Sequence, residues 1–372
     1  MVTGIDAPGA HESAEETNCD LGPIFIVGCG SSGTHLLASI LDGHSSIACG
    51  PELWVFNHRM FFQPFTRVQS RLAIWMKSGL VTDWPQEQLA FFTNITAYGH
   101  TPASAMALAK SCTTHKEFID GFYRDFLHDR HKAIWAEKTL GNYRCLDLLL
   151  TLYPNARIVH MARNGLDSMV SLMKRGMSPY LAAARWIFDN AGALAWGNDS
   201  RYMLLRYEDV VKDTESEVRK LCGHIGVNFE ATMITGGNHE SRAYWQRFSN
   251  GNYHRTWQHR PDRMVTSASV ERHLQELSPH AEAVFWGVRL TWFSQRALGT
   301  HLRSAADAMA ALGYTHSPHR ALPRLGLKVQ AKIARSYLKR AARELCEHKR
   351  IYMPHAFLTN SEYSASPEGS GL

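Results

Sequence analysis

A glycine-rich segment near the start of the chain has the residue types and spacing of a phosphate-binding loop. The apolar run Ile24–Val27 leads into Gly28-Cys-Gly-Ser-Ser-Gly33, and an amphipathic helix is predicted from Thr34 onward. Glycines between a strand and a helix let backbone N–H groups approach a phosphate closely, and the positive end of the helix dipole favours the anion. Ser31 and Ser32 add hydroxyl donors. The segment therefore predicts binding of a phosphorylated small molecule.

Three interpretations of this loop compete, and its residues alone leave the first and the third open. It satisfies the dinucleotide pattern Gly28-x-Gly30-x-x-Gly33, and Glu52 follows about 20 residues later, where a ribose-binding acid would stand. An ATPase or kinase loop needs Lys and then Ser or Thr after the last glycine. Thr34 and His35 stand there instead, so ATP hydrolysis is not expected. The third interpretation uses the loop hydroxyls to bind a 5′-phosphate or a phosphosulfate.

A second phosphate contact is predicted at Arg163, which follows the strand-like run Arg157–Ala162. Ser171 stands eight positions later on the next predicted helix, so a guanidinium and a hydroxyl can share one phosphate. Arg175 lies one helical turn beyond Ser171. A lone arginine at a strand end is more often a surface charge. The combination with the phosphate loop and with the stretch Leu204–Val211 favours a binding role.

These residues require a sheet that brings several strand ends together. Further strand-like runs are Ala133–Glu137 and Tyr202–Arg206, and helices are predicted over Tyr143–Leu152, Gly165–Lys174 and Thr214–Ile225. Strands that alternate with helices predict an α/β fold with three layers. We expect a central parallel sheet flanked by helices, with a P-loop-like phosphate-binding loop and a helical C-terminal extension.

The chain divides into three predicted parts. Residues 1–22 are acidic and polar without an apolar signal-peptide core, so a disordered leader is expected. Residues 23–300 form the α/β domain, with an aromatic-rich insertion at about 55–130. Residues 301–372 form a helical extension and a flexible tail.

Two further helices are predicted in the C-terminal part of the chain. One covers Glu271–Leu298 and the other Leu325–His348. The second helix is basic and amphipathic, which permits binding to an acidic membrane. Docking of its apolar stripe on the domain is the favoured interpretation.

Composition excludes several classes of protein. The net charge of +6 is too small and too dispersed to indicate nucleic-acid binding. The seven cysteines are scattered without zinc spacing, so free thiols, a cytoplasmic location and no metal are expected. The Asn-x-Ser/Thr sequons at Asn94 and Asn198 would matter only in a secreted protein.

In combination, these features resemble the sulfotransferase family, which uses 3′-phosphoadenosine-5′-phosphosulfate (PAPS). The resemblance rests on the loop with its helix, on Arg157-Ile-Val-His-Met-Ala-Arg-Asn-Gly-Leu-Asp-Ser-Met-Val-Ser171 and on Leu-Arg-Tyr-Glu-Asp-Val-Val, and it covers Ile24 to about Ile225. Locally the chain is most similar to tyrosylprotein sulfotransferases and their bacterial relatives.

The resemblance implies transfer of a sulfuryl group from PAPS to a hydroxyl, phenol or amine, with release of 3′,5′-ADP. Glu52 matches the family's general base, and Lys138 matches a lysine that stabilises the sulfuryl oxygens. The residues expected to bind the donor are Gly30, Ser31, Ser32, Gly33, Thr34, His35, Arg163, Ser171, Arg175 and Tyr207. Arg255 and Trp257 are candidates to close over it.

Two departures from the family pattern keep alternatives open. Ser31 replaces a cation of the loop and His35 replaces a threonine. The serine at position 31 leaves a non-catalytic nucleotide-binding relative as one competing hypothesis. The literal Gly28-x-Gly30-x-x-Gly33 pattern leaves an NAD(P)-dependent oxidoreductase as the other. His35, His44 and His58 are alternative bases.

The acceptor is open among small molecules, glycans, lipids and peptides. The insertion's aromatic residues either line the acceptor's pocket or form a local core. They are Trp54, Phe56, Phe61, Phe62, Phe65, Trp75 and Trp84.

Overall fold

Five strands form one parallel sheet in the order β2–β3–β1–β4–β5. The computed structural model describes residues 21–53, 56, 59–78, 94–236 and 267–315, and also 326, 327, 330, 331, 334 and 335. The strands are β1 (Ile24–Gly28), β2 (Ile47–Cys49), β3 (Ile134–Glu137), β4 (Arg157–Ala162) and β5 (Tyr202–Arg206). The predicted α/β fold with a central parallel sheet is confirmed. The short strand β2 was not predicted, because three residues carry too little pattern.

Helices flank this sheet on both faces. The α-helices are α1 (Thr34–Asp42), α2 (Phe65–Ser78), α3 (Pro102–Ser111), α4 (His115–Asp129), α5 (Leu146–Leu152), α6 (Gly165–Lys174), α7 (Pro179–Leu194), α8 (Tyr207–Lys212), α9 (Thr214–Ile225), α10 (His273–Glu276), α11 (Pro279–Gly287), α12 (Trp292–Leu298) and α13 (Ala305–Ala311). Short 3-10 turns lie at Arg59–Phe62, Ile95–Tyr98, Leu140–Arg144 and Ala231–Met233. The predictions of α6 and α9 are confirmed, whereas the helix predicted from Tyr143 begins at Leu146.

The single helix predicted over Glu271–Leu298 is wrong, since α10, α11 and α12 replace it. Ser278 is the N-cap of α11 and precedes a proline at the first helical position, which starts a new helix. Val288 is extended, and Thr291 then caps α12. Of the predicted helix Leu325–His348, only a few positions lie within the described residues.

The side chains of β1 alternate between two apolar cores, one on each face of the sheet. Phe25 and Val27 pack in the larger core with side chains of α4, α6 and α7. Ile24 and Ile26 pack in the smaller core with side chains of α1 and α9. Because both faces are buried, the strand is apolar throughout, as is typical of a parallel sheet.

The aromatic residues of the insertion belong to the larger core where the structure describes them. Phe56, Phe61 and Phe65 are buried, and Phe62 packs against them. Through Phe56 and Tyr123, these rings are connected to the sheet, where Tyr123 stacks on the strand residue Trp135 at 4.0 Å. The local-core interpretation therefore holds for these phenylalanines. Trp54, Trp84 and the side chain of Trp75 lie outside the described residues.

The loop after β1 depends on two glycines with positive φ. Gly28 has φ +133°, and a Cβ there would lie 2.5 Å from the carbonyl oxygen of Met161. Gly33 has φ +90°, and a Cβ there would lie 2.5 Å from the ring of Tyr207. At Gly30 the φ is not positive, and a Cβ would meet other side chains at 3.7 Å. The loop path therefore requires glycine at its two ends but not at position 30, and Ser31 also adopts a positive φ, of 69°.

A buried ionic cluster fixes the far end of α1. The carboxylate of Asp42 binds Arg130 Nη2 at 2.8 Å and accepts the N–H of Cys49 at 2.9 Å. Lys132 donates to the carbonyl oxygens of Asp42 and Ile47 at 2.6 and 2.7 Å. Burial would raise the pKa of Asp42, but the charges of Arg130 and Lys132 outweigh it and hold the pKa below its usual value. The cluster thus joins α1 to the strand β2.

Replacement of the loop glycines tests this conformation. We expect Gly33→Ala to lower the free energy of unfolding by about 2 kcal/mol, since a non-glycine residue is strained at that φ and its Cβ displaces Tyr207. Gly30→Ala is the matched control and should leave stability unchanged or raise it by up to about 1 kcal/mol. Urea denaturation measures both. Equal losses in the two variants would contradict the described loop.

The Asp42 cluster predicts a pH-dependent contribution to stability. Because the pKa of Asp42 is depressed in the folded protein, its contribution is present above about pH 4 and is lost as the pH falls through the folded pKa. Asp42→Asn should therefore cost about 3 kcal/mol at pH 7 and progressively less below pH 4. Urea denaturation of both proteins across this range gives the difference. A loss that is independent of pH would contradict the ionic account.

Candidate active site

Predicted site residues directly follow three strands of the sheet. Lys138 follows β3, Arg163 follows β4 and Tyr207 follows β5, while the glycine loop follows β1. Parallel strands end at the same edge, so these residues meet above the carboxyl ends of the strands, where α/β proteins bind ligands. Glu52 lies three residues beyond the short strand β2. The missed strand therefore belongs to the site.

Glu52 and Lys138 form a close ion pair. Lys138 Nζ lies 2.6 Å from Glu52 Oε1 and 3.2 Å from Nε2 of His35 on the first turn of α1. The side chain of Lys138 is 0% exposed and that of Glu52 is 12% exposed. The structure thus brings together both residues predicted to be catalytic and one predicted loop residue.

The backbone on either side of Glu52 is held by buried side chains. The carbonyl of Pro51 accepts a hydrogen bond from the hydroxyl of Tyr98, and that of Glu52 accepts one from Nδ2 of Asn94 at 2.7 Å. The N–H of Leu53 donates to Oε1 of Glu137 at 3.4 Å. Three consecutive residues therefore have fixed backbone positions. Sequence reasoning missed all three anchoring side chains.

Glu137 anchors the Lys138 side of the pair as well. Its carboxylate accepts the N–H of Thr139 at 2.9 Å, and the Thr139 hydroxyl and Asn142 Nδ2 also donate to it. Burial raises the pKa of Glu137, while these donors act in the opposite direction. One carboxylate thus binds the amide that follows Glu52 and the amide that follows Lys138. An acidic residue inside a buried strand was the available sequence signal.

The contact of Asn94 also bears on its glycosylation sequon. Asn94 is buried, and its Nδ2, the atom to which a glycan attaches, is the donor to Glu52. The folded protein therefore does not present this sequon to solvent.

Arg163 connects the glycine loop to the C-terminal part of the chain. Its Nη1 donates to the carbonyl of Ser31 at 3.1 Å, its Nη2 donates to the carbonyl of Ser269, and its guanidinium lies 4.9 Å from the ring centre of Tyr207. Tyr207 in turn packs against Gly33. The predicted donor-binding residues of the loop, of β4 and of β5 thus form one group.

Three buried polar atoms of this group have no hydrogen-bond partner within the described part of the chain. They are the hydroxyls of Ser31 and Ser32 and the Nε of Arg163. A buried donor without a partner is costly, so such atoms at a strand edge indicate a ligand that completes their hydrogen bonds. A phosphate or sulfate oxygen accepts from all three. Thr34 is also buried, at the start of α1.

The C-terminal segment that contacts Arg163 is held by Asp167 on α6. Its carboxylate accepts the N–H of Glu271 at 2.8 Å. The backbone nitrogen and the Nδ1 of His273 both lie within 2.9 Å of the same carboxylate. Burial would raise the pKa of Asp167, but the bonds from His273 hold it below its usual value. Asp167 therefore places Ser269 against the arginine, a role that the sequence analysis did not assign.

Ser171 and Arg175 lie on the same helix as Asp167, farther along it. Ser171 is half-buried, and Arg175 is exposed at the C-terminal end of α6. No described contact joins Ser171 or Arg175 to Arg163, so their binding role stays a prediction.

The alternative bases differ in position. His35 lies in the site, but His44 lies beyond the other end of α1, where Nε2 is 3.0 Å from the carbonyl of Asn228 and Nδ1 accepts the N–H of Ser46. His58, Arg255 and Trp257 lie outside the described residues.

The strand order does not fit the dinucleotide interpretation. In a dinucleotide-binding sheet the second strand lies beside the first, and its acid binds the ribose. Here β3 lies between β1 and β2, so Glu52 follows a strand that is not adjacent to β1. Glu52 contacts Lys138 instead. Glu52, which the dinucleotide interpretation assigned to a ribose, therefore forms an ion pair instead.

The arrangement has the chemistry for anion binding and proton transfer. It combines a carboxylate, a buried ammonium, a guanidinium and loop donors at the carboxyl edge of the sheet. Among the residues described, no three side chains cluster as metal ligands. Within the same part of the chain, none of the helices has both the length and the apolar character to cross a bilayer.

Two known proteins are similar to parts of this chain. A "Putative protein-tyrosine sulfotransferase" of Caenorhabditis briggsae is 21% identical over 223 residues, which cover 57% of this chain and 68% of that protein. An "Uncharacterized protein" of Aquifex aeolicus (strain VF5) is 28% identical over 174 residues, which cover 44% of this chain and 19% of that protein.

Solved sulfotransferase domains share the fold. The domain from the olefin synthase of Synechococcus PCC 7002 superimposes with a TM-score of 0.51 at 18% identity, over 73% of this chain and 97% of that domain. The domain from the curacin biosynthetic pathway gives a TM-score of 0.51 at 18% identity, over 80% and 99%. The model of the sulfotransferase family matches residues 23–231. This chain, with its glycine loop, strand-edge arginine and acid–lysine pair, belongs to the sulfotransferase family.

Proposed function

We propose that this protein transfers the sulfuryl group of PAPS to a hydroxyl, phenol or amine and releases 3′,5′-ADP. The observation that carries the proposal is the Glu52–Lys138 pair beside the glycine loop. It places a proton acceptor and a buried cation together at the carboxyl edge of the sheet. Family membership supports the reaction class.

The residues present fit a donor with two separate anionic groups. The loop hydroxyls and backbone N–H groups at the start of α1 suit the 5′-phosphosulfate, because the helix dipole and free donors face one anion. Arg163 suits the 3′-phosphate, since its Nε has no partner among the described residues and its other nitrogens bind only carbonyl oxygens. Ser171 and Arg175 extend this second position, and Tyr207 lies between the two.

Glu52 and Lys138 divide the chemistry between them. When bound, the donor supplies a sulfuryl group on an activated bond to its 5′-phosphate. Glu52 accepts the acceptor's proton at its carboxylate, which makes the acceptor oxygen or nitrogen a better nucleophile. Lys138 stabilises the negative charge on the sulfuryl oxygens during transfer, and the loop donors stabilise the charge on the departing 5′-phosphate. Because the site is largely buried, these charges act with little screening by water.

His35 stands on the first turn of α1, next to the loop in which Ser31 replaces the family's cation. Its Nε2 lies 3.2 Å from Lys138 Nζ and, as a hydrogen-bond acceptor, helps to hold the ammonium in the site. This contact, together with an intact acid–lysine pair, favours an active enzyme over a non-catalytic relative. Binding of the donor without turnover of any acceptor would favour the relative.

Calorimetric titration with 3′,5′-ADP tests the donor. We expect the wild type to bind 3′,5′-ADP in preference to NADP and ATP, and Arg163→Ala to weaken it tenfold or more, since a charge-assisted contact contributes about 1.5–3 kcal/mol. Arg219→Ala is the matched control, because that arginine pairs with Glu215 on an exposed face. Binding of NADP but not of 3′,5′-ADP would overturn the proposal.

Turnover of labelled PAPS tests the base. With an acceptor identified from a panel of phenols, sterols, sugars and peptides, Glu52→Gln should lower kcat by about 10²–10⁴-fold, because the general base is lost. Its affinity for 3′,5′-ADP should stay within a few fold of the wild type. A Glu52→Gln variant with full kcat would exclude Glu52 as the base.

A further inference from the structure

We propose that Glu52 competes with the donor's sulfuryl group for Lys138, and that this competition sets the preference of the site between PAPS and its product 3′,5′-ADP. Glu52 is then a determinant of donor specificity as well as a base. The inference rests on the proposed function, because it concerns how the same site treats the loaded and the discharged donor.

The ammonium of Lys138 is buried. The side chain of Lys138 has no solvent exposure, so bulk water does not balance its charge. The carboxylate of Glu52 at 2.6 Å does so in the donor-free protein. A sulfuryl group that binds Lys138 must therefore share the ammonium with Glu52 or draw it away. Two anions that compete for one buried cation weaken each other's hold on it.

The backbone segments that carry Glu52 and Lys138 are both held in place. Glu137 accepts the amide after Glu52 at 3.4 Å and the amide after Lys138 at 2.9 Å. Tyr98 and Asn94 fix the carbonyls of Pro51 and Glu52. The pair therefore opens through its side chains, and the flexible four-carbon chain of lysine is the longer of the two.

PAPS and 3′,5′-ADP differ in their effect on Lys138. PAPS carries the sulfuryl group that competes for Lys138, whereas 3′,5′-ADP lacks it and leaves the ion pair closed. The carboxylate of Glu52 is then released from Lys138 only while the loaded donor is bound. The site therefore gains a proton acceptor when a sulfuryl group is present, and the pair closes again after transfer.

A double-mutant cycle in donor binding tests the competition without an acceptor. Calorimetry gives the ratio of the Kd for 3′,5′-ADP to the Kd for PAPS in the wild type, Glu52→Gln, Lys138→Met and the double variant. We expect Glu52→Gln to raise this ratio at least fivefold. In the Lys138→Met background the same substitution should change it less than twofold. Binding of 3′,5′-ADP by each variant shows that it is folded.

Glu230→Gln is the matched control, because Glu230 binds Ser45 and His44 rather than Lys138. Its ratio should equal that of the wild type. An unchanged ratio in Glu52→Gln, or an equal change in both lysine backgrounds, would overturn the competition while leaving the sulfotransferase proposal intact. A wild type that binds neither nucleotide would overturn the proposed function itself.

Discussion

The buried carboxylate of Glu137 joins the two chain segments on which the site depends. It accepts the amide after Glu52 and the amide and hydroxyl of Thr139, next to Lys138. Both charged side chains therefore start from backbone positions fixed by the same group. Its own burial is costly, and the donors around it offset that cost. Because the segments come from the ends of β2 and β3, the register of the sheet determines the distance between the acid and the lysine.

A second constraint acts at the glycine loop, where conformation and electrostatics act together. The positive φ of Gly28 and Gly33 directs the chain around a concave turn, and Tyr207 and Met161 close in against it. Arg163 then binds the carbonyl of Ser31 from the neighbouring strand. The loop is thus held by its neighbours before any ligand binds. Such a preorganised site spends little binding free energy on ordering itself.

Much of the fold was predictable because its signals are local. The apolar runs of β1, β3, β4 and β5 and the helices α6 and α9 have the periodicity and the boundaries of ordinary elements. The three-residue strand β2 has no such pattern and exists because it pairs with β3. The region from Glu271 to Leu298 is rich in helix formers, but the proline after Ser278 and the extended Val288 break it. Helix propensity over a long window concealed these local breaks.

The candidate site divides in the same way. Glu52 and Lys138 were predicted from family motifs and Arg163 from its place after a strand, and the structure places Glu52 against Lys138 and Arg163 against the loop. Asn94 and Tyr98 were missed because their partners are backbone atoms more than forty positions away in sequence, at 42 and 47 residues. No spacing rule connects a side chain to a distant carbonyl.

A crystal structure of the protein with bound 3′,5′-ADP would show where the two phosphates of the donor bind. We expect the 5′-phosphate on the loop donors from Ser31 to Thr34 and the 3′-phosphate on Arg163, with the Glu52–Lys138 pair closed beside it. A nucleotide bound elsewhere, or one whose 3′-phosphate has no contact with Arg163, would contradict the proposed donor site.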